Sequence, residues 1–417
     1  MKPLSGFMRS AALLLTSLAL LSGCGGGDDS TSSTGTLSVA MTDAPACGYD
    51  NVFVTVKEVR VHRSEEAVDG DEGWQVIPVV NAFNEPDPKR IDLLELTNGE
   101  LAELGETVLP AGTYTQMRLV LADNKTTPNA NAVVLTDTKN EVELTTPSGQ
   151  QTGLKMNLNV TVEPDKVARV VIDFDACKSV VKAGASGQYL LKPVLSATTV
   201  ISDMGQSIIG YLDTATLGAT TAVSAQVNGM VVKSTLPDTT GKFVLYPVPM
   251  PATSGTYDLV IASTGKATAV MTGVPVYDTE NTYVGSETVR IAMTDSAVND
   301  ATGTVSLDGK VPDTGAAVRA LQTLYNGPAV EVASMQVDAL TGEYGFALPI
   351  GAPQVTAYTA GATAITFAAD STDTTQTAAG KYTLEASIAG LTPQTAVIDL
   401  LSGPVATDFS FTTPPAP

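Results

Sequence analysis

Histidine, cysteine and aromatic residues are scarce in this chain of 417 residues. It has one histidine and three cysteines, and Phe, Trp and Tyr together make up 5% of it. A catalytic triad built on histidine would have to use His62, and a metal site with several histidines is excluded. Three cysteines are too few for a cysteine-rich zinc site or an iron–sulfur cluster. We therefore expect no metal and no other cofactor.

Basic residues are also scarce, with 23 Lys and Arg against 44 Asp and Glu, and the formal net charge is −21 at pH 7. Such an acidic surface repels phosphate backbones, so nucleic acid is not expected as a partner. It does not attract anionic lipid headgroups either, so membrane attachment would have to be apolar or covalent. Apolar residues make up 43% of the chain, enough to build cores for two or three domains.

The N-terminus predicts export and a lipid anchor. The basic residues Lys2 and Arg9 precede an apolar segment, residues 11–21. This segment is shorter than the roughly 20 residues that a membrane-spanning helix needs. The sequence Leu21-Ser-Gly-Cys24 resembles a bacterial lipobox, which implies that residues 1–23 are a lipoprotein signal peptide and that Cys24 carries the lipid, as palmitate labelling would detect. An ordinary signal peptide or a buried core segment is the alternative.

Residues 24–35 are rich in Gly, Asp, Ser and Thr and predict a flexible tether behind the lipidated cysteine. Gly25 stands where an inner-membrane retention signal would place Asp, so the outer membrane is favoured over the inner. If Cys24 carries lipid, Cys47 and Cys177 are left in an oxidising compartment, where two cysteines usually pair. A Cys47–Cys177 disulfide is therefore predicted, with two buried free thiols as the alternative.

Residues 36–200 predict a β domain, which we call the first module. Apolar and polar residues alternate without a break over residues 154–163, as expected for a half-buried antiparallel strand. The alternation around residues 52–61 slips at Lys57-Glu58, which suggests a β-bulge. Residues 91–96 could form a short helix or a strand.

Six segments of the first module resemble the exported lipoprotein domain known as domain of unknown function 4382 (DUF4382). The resemblance implies a β-sandwich-like fold and no established activity, and it is carried by residues 37–45, 54–62, 109–119, 147–155, 173–180 and 189–193.

The rest of the chain predicts two copies of one β pattern, at residues 205–290 (the second module) and 300–412 (the third module). Each copy has a polar turn with Asp and Gly, an aromatic-led strand, and a Gly-x-Tyr that opens another strand: Gly255-Thr-Tyr257 and Gly380-Lys-Tyr382. An Ala/Thr-rich stretch, residues 360–379, interrupts the second copy. The pattern resembles carboxypeptidase-regulatory-like modules of the transthyretin and starch-binding-like superfamily, which implies carbohydrate binding or a spacer role. The predicted fold class is all-β: tandem antiparallel β-sandwich (Ig/transthyretin-like) domains after a signal peptide and tether.

A weak ligand surface is predicted at Trp74, the single tryptophan, and at the polar stripe Lys155, Asn157 and Asn159. Sugars bind flat aromatic faces or dense polar networks. A core role for Trp74 and a plain solvated stripe are the alternatives. Residues 69–73, Asp-Gly-Asp-Glu-Gly, have the composition of a calcium loop but not its ligand spacing, so a solvated turn is expected.

Two carboxylates, Asp173 and Asp175, share strand parity and form a remote candidate for hydrolytic chemistry on an exposed sheet face. His62 follows the outward parity of its strand and is expected to be exposed and without a partner.

The functional hypothesis is a non-enzymatic, membrane-anchored surface lipoprotein whose modules bind a ligand, with carbohydrate binding or adhesion favoured. A structural or assembly protein that contacts envelope proteins through sheet edges is the alternative. A hydrolase is the remote one, because no general base with an orienting partner is evident.

Overall fold

The computed structural model describes residues 33–414 except 44–47, 81–82, 84, 147–151, 203, 219, 252–254, 313–314 and 374. Residues Ser33–Pro417 form one compact unit. Cys24, the signal peptide and most of the predicted tether lie outside the described residues, as does Cys47. Within the described part of the chain, no helix is long and apolar enough to cross a bilayer.

The first module consists of thirteen strands with a short α-helix, α1 (Ala176–Ser179), and a 3-10 helix at Leu93–Glu95. The strands are β1 (Thr34–Asp43), β2 (Tyr49–His62), β3 (Gln75–Pro78), β4 (Lys89–Asp92), β5 (Ala102–Pro110), β6 (Gly112–Leu121), β7 (Ala132–Leu135), β8 (Glu141–Thr145), β9 (Leu154–Val162), β10 (Val167–Phe174), β11 (Val180–Ala183), β12 (Gln188–Leu191) and β13 (Leu195–Val200).

Two sheets enclose the core of the first module. The smaller has the order β13-β10-β1-β5; the larger has the order β11-β12-β8-β7-β2-β6-β9, with β3 and β4 also paired to β2. Strand β9 buries every second residue, as its alternation predicts. The β2–β6 register shifts between Val56 and Glu58, which confirms the predicted bulge. Residues 91–96 complete one short strand and then form the 3-10 helix, capped by Asp92.

The second module contributes seven strands and a 3-10 helix at Thr214–Thr216. The strands are β14 (Ile208–Tyr211), β15 (Thr221–Val227), β16 (Met230–Thr235), β17 (Lys242–Leu245), β18 (Thr256–Ser263), β19 (Ala269–Pro275) and β20 (Thr282–Val284).

The third module contributes ten more: β21 (Val298–Leu307), β22 (Ala316–Thr323), β23 (Ala329–Gln336), β24 (Glu343–Pro349), β25 (Gln354–Ala357), β26 (Ala368–Ala369), β27 (Lys381–Ile388), β28 (Gln394–Asp399), β29 (Val405–Ala406) and β30 (Phe409–Phe411). Its sheets have the orders β24-β21-β29, with β30 also on β21, and β23-β22-β27-β28.

The repeated motifs occupy equivalent places in the two modules. Tyr257 begins β18 with its hydroxyl donating to the carbonyl oxygen of Pro249 at 2.6 Å, and Tyr382 begins β27 with its hydroxyl donating to that of Pro349 at 2.6 Å. Each hydroxyl satisfies one polar atom at the rim of a core while its ring is buried. The described fold is nearly all β with several separate sheets, which confirms the predicted fold class.

One arrangement was not predicted. Strands β25 and β26 lie in the third module by sequence, but they extend a sheet of the second, whose order is β16-β15-β18-β19-β25-β26. The chain after β25 also packs Tyr358, Ile365 and Phe367 against the second module's core. The stretch that interrupts the repeat is therefore partly an arm that completes its neighbour. The predicted domain boundaries themselves stay predictions.

Candidate functional site

Trp74 stands at the end of the loop between β2 and β3, residues 63–74, which we call the tryptophan loop. Its indole N–H donates to the Val68 carbonyl oxygen at 3.0 Å. Its ring centroid lies 5.1 Å from that of His62, and the Arg118 guanidinium carbon lies 4.7 Å from the ring centroid. The half-buried tryptophan therefore has a cation over its ring, a favourable electrostatic contact.

His62 is not the exposed, unpartnered histidine that the strand pattern suggested. The ring is half-buried. Its Nδ1 lies 2.9 Å from the Ser64 N–H, which donates to it, and its Nε2 lies 3.0 Å from the Glu72 carbonyl oxygen. The expectation was wrong because the loop after β2 folds back over the ring, which alternation within the strand does not reveal.

Arg118 and Gln116 on β6 fasten the tryptophan loop to the sheet. The Gln116 amide donates to the carbonyl oxygens of Glu65 and Ala67 at 2.7 and 3.1 Å. Arg118, which is 7% exposed, donates to the Ala67 and Thr152 carbonyl oxygens, each at 2.9 Å. Buried donors with several acceptors hold a segment more firmly than exposed ones, because water does not compete for them.

Two of the predicted ligand residues meet at this loop. Lys155 on β9 donates from its Nζ to the Glu65 carbonyl oxygen at 2.6 Å, beside the Gln116 contact. Asn157 and Asn159 follow Lys155 along the exposed face of the same strand. The structure thus joins Trp74 and Lys155 through one loop, with the two asparagines leading away from it. Whether these residues bind a ligand stays a prediction.

The acidic turn within the tryptophan loop carries structural contacts. Asp69 pairs with Arg60 at 3.2 Å, and an Asp71 carboxylate oxygen accepts the Val68 N–H at 2.9 Å. Among the described residues there is no group of three or more His, Cys, Asp or Glu side chains able to hold a metal ion.

The expectation that Asp173 and Asp175 share an exposed sheet face is wrong. Asp173, whose side chain is 15% exposed, accepts from Lys233 Nζ on β16 at 2.7 Å, and the Lys233 side chain is 4% exposed. Asp175 lies beyond the end of β10 and caps α1 by accepting the Lys178 N–H at 2.9 Å. The second module covers this end of the first, so an outward-facing strand position is buried.

Charged side chains of the first and third modules converge next to α1. Lys178 lies 3.4 Å from Asp175 and 3.6 Å from Glu331 on β23. Glu331, with a side chain 8% exposed, lies 3.5 Å from Arg319, whose Nε also donates to Glu385 at 2.8 Å. Because the cations and carboxylates alternate, each buried charge has an opposite neighbour.

The environment shifts two pKa values in this cluster. Burial raises the pKa of Asp175 above its ordinary value, although the nearby Lys178 works to lower it. Burial works to lower the pKa of Lys178, but the Asp175 and Glu331 carboxylates outweigh it and raise that pKa. Lys178 is therefore held in its charged form by its two partners.

Further hydrogen bonds join the modules at two other places. Asn98 in the first module donates its backbone N–H to Thr235 Oγ1 at 2.7 Å, and its side-chain oxygen accepts the Val244 N–H at 2.6 Å. The Asp338 carboxylate of the third module accepts the Gly184 N–H of the first at 2.8 and 2.9 Å. Sequence patterns had not predicted these contacts, since each depends on how the modules pack.

A cleft opens where the three modules meet, and we call it the junction cleft. One part of it has a volume of about 360 Å³ and another about 180 Å³. Both parts are lined by Ala222, Ala262 and residues 332–334, and the smaller also by Asp175, Cys177 and Lys178. Cys177 thus lies on α1 at the wall of the cleft; its pairing with Cys47 stays a prediction.

Residues 34–193 match the family model described as domain of unknown function (DUF4382). This part of the chain is a DUF4382 domain. The resemblance that the motifs of the first module carry is thereby confirmed, and the tryptophan loop, Asp173 and α1 all lie within the DUF4382 domain.

Several solved structures are similar to the chain at low identity. The Bacillus anthracis TIE protein is 12% identical with a TM-score of 0.16, over 91% of this chain and 50% of that one. The Corynebacterium diphtheriae major pilin SpaA is 10% identical with a TM-score of 0.19, over 91% of this chain and 99% of that one. The pilus adhesin SpaC from Lactobacillus rhamnosus GG is 9% identical with a TM-score of 0.16, over 92% and 44%.

The chain thus spans about half the length of the TIE protein. No curated protein matches the chain.

Proposed function

We propose that this protein is exported and lipid-anchored in the bacterial cell envelope, with the outer membrane favoured. Its β modules are held in a fixed arrangement, present a surface for binding, and catalyse no reaction. The observation that carries the proposal is the buried Lys233–Asp173 ion pair between the first and second modules, at 2.7 Å. A pair so little exposed to water is broken only at a large cost, so the modules keep a fixed arrangement. Fixed modules behind a tether suit the display of a binding surface.

A non-catalytic role is supported by the engagement of the two carboxylates that were the candidates for hydrolysis. Asp173 is bound to Lys233, and Asp175 caps α1 beside Lys178. Asp175 lines the junction cleft, but both carboxylates are engaged, so neither is a free acid or base. A hydrolase would have to show turnover that Asp173→Asn abolishes.

Carbohydrate is the ligand class we propose first, at the surface formed by Trp74, Lys155, Asn157 and Asn159. Trp74 retains partial exposure beside the polar stripe, and sugars combine aromatic contact with hydrogen bonds. Since Arg118 covers part of the tryptophan ring, the polar stripe would supply most of the contacts.

Two measurements on the full-length protein test this proposal. Radiolabelled palmitate should enter the wild type and not Cys24→Ser, and an unlabelled wild type would refute the anchor. In detergent, the protein should bind neutral glycans on an array, with binding lost in an Asn157→Ala, Asn159→Ala double variant and kept in a control, Thr107→Ala, on β5. Absence of any glycan signal from folded protein would rule out the carbohydrate role.

Assembly with envelope proteins is the second candidate, favoured by two strands that have a neighbour on one side only. In the sheet β23-β22-β27-β28 the end strands are β23 and β28. Val397 on β28 is 82% exposed, and natural proteins usually protect such edges because they can pair with another chain. Capture of a defined envelope protein without glycan binding would favour this candidate.

A further inference from the structure

The junction cleft has a free strand edge as one of its walls. Residues 332–334 of β23 line both parts of the cleft, and among the described strands only β22 is paired with β23. Within the described part of the chain, no hydrogen bond from outside β22 reaches the backbone of these three residues. This stretch of β23 is bulged at Val332, and its backbone groups that point away from β22 are available to a further strand.

Gln226 shows that this edge can accept a neighbour. Its side-chain amide donates to the Glu331 carbonyl oxygen at 2.8 Å, and its side-chain oxygen accepts the Glu331 N–H at 2.7 Å. The two bonds reproduce the pairing that an adjacent strand makes with one residue. Gln226 thus takes the place of a strand at one end of the edge, and the cleft begins beyond it.

The floor of the cleft leaves room for a polypeptide backbone. It is the outer face of β15 and β18, where Ala222 and Ala262 lie opposite one another and Ser224 follows. These side chains are small, so a chain can approach closely. Nearby on the same two strands, Val260 of β18 packs with Val330 of β23 and with Leu324, which joins the second module to the third.

The charges around the cleft favour an uncharged occupant. Lys178 is paired with Asp175 and Glu331, and Lys266 with Asp295. The hydroxyls of Ser234 and Ser334 line the cleft and make no hydrogen bond with the described residues. The cleft therefore offers neutral donors and acceptors and no unpaired charge.

We propose that the junction cleft binds an extended, uncharged polypeptide segment of a partner protein, which pairs with the free edge of β23. Small side chains on that segment face Ala222 and Ala262, and its backbone adds a strand to the sheet, a common mode of peptide recognition. This inference rests on the assembly role proposed above and assigns it a site.

A display library of random short peptides, screened against the full-length protein in detergent, tests the proposal. Ala262→Phe fills the cleft without altering β23, and Ala222→Leu is a second filling variant for use if the first does not fold. Val167→Ser, at an exposed position of β10 that does not line the cleft, is the control. Circular dichroism and the unfolding midpoint check each fold.

Peptides enriched on the wild type should lose affinity about tenfold or more in a filling variant, since several hydrogen bonds are lost, and should keep it in the control. Copies of the peptides with N-methylated backbone amides should also bind less well.

Three outcomes overturn the inference: no peptide is enriched, enriched peptides bind the filling variants equally well, or N-methylation has no effect. If the filling variants instead lose binding to neutral oligosaccharides, the cleft has a different ligand and the inference is also wrong. Palmitate labelling and the glycan array report on the proposed function separately.

Discussion

The tryptophan loop and the junction cleft both contain polar groups, but they differ in whether those groups already have partners. In the loop, Arg118, Gln116 and Lys155 bond to the loop's own carbonyl oxygens, and a cation lies over the single tryptophan. In the cleft, the floor residues are small, and within the described part of the chain no strand pairs with residues 332–334 of β23 on the side away from β22. Side chains that a sequence suggests as ligand-binding can already have hydrogen-bond partners within the protein. An open site can instead be made of alanine side chains and backbone groups.

The largest effect is expected from the cysteine beside the cleft. If Cys47 and Cys177 pair, the bridge closes a loop of about 130 residues, and Cys177→Ser should lower the free energy of unfolding by about 5 kcal/mol. Chemical denaturation measures the change, and reduced wild type should resemble the variant. Alkylation of both thiols in unreduced, denatured wild type would contradict the pairing.

The buried ion pair between modules should give the next largest effect. Lys233→Ala leaves Asp173 buried without its partner and should cost about 3–5 kcal/mol of unfolding free energy. Lys166→Ala, at an exposed pair, is the control and should change it by no more than about 1 kcal/mol. If both variants lost the same unfolding free energy, the Lys233–Asp173 pair would be as accessible to water as the exposed pair, which would contradict its burial.

Loosening the tryptophan loop should have an intermediate effect. Arg118→Met removes donors to two carbonyl oxygens and the cation over Trp74, so we expect a loss of about 2–3 kcal/mol. Trp74 is the chain's one tryptophan, so its fluorescence reports on the loop directly. Acrylamide should quench the Trp74 fluorescence more strongly in Arg118→Met than in the wild type. In the control, Arg169→Met, the quenching should equal that of the wild type. Unchanged quenching would show that the loop does not depend on Arg118.

The smallest effect concerns Asp338, which joins the third module to the DUF4382 domain. Partial burial works to raise its pKa, but backbone N–H donors, including that of Gly184, outweigh burial and hold the pKa below its ordinary value of 3.8. Stability from the ionised group is therefore present above that value and is lost as the pH falls through the lowered pKa. Asp338→Asn should flatten the decline of stability below about pH 4, by less than about 1 kcal/mol because the group is only partly buried and solvent screens it. Denaturation across pH 3–7 measures it, and an unchanged slope would argue against the contact.

Alternation along the chain was enough to predict the strands, because burial of one sheet face is a local property. It predicted β9, the bulge near Glu58 and the strands opened by Tyr257 and Tyr382. It did not reveal strand partners, which depend on distant residues. The first strand of each module pairs in parallel with a much later one: β1 with β10, β14 with β20, and β21 with β29 and β30.

The candidate sites were harder to predict for the same reason. Asp173 and His62 lie at outward positions of their strands, yet a neighbouring module covers one and a loop folds over the other. The cleft carries no motif, because Ala222 and Ala262 are ordinary residues that matter through their size and placement. Such features depend on contacts between segments far apart in the chain.

The arm formed by β25 and β26 determines where the chain can be truncated to express separate domains. Its register on β19 runs from Ala269–Gln354 to Thr272–Ala357, so a fragment that stops near residue 296 would expose the flank of β19 to solvent. Such a fragment would invite aggregation, whereas one that ends after the arm would be cut through the third module's sheets. The second and third modules should therefore be expressed together as one fragment.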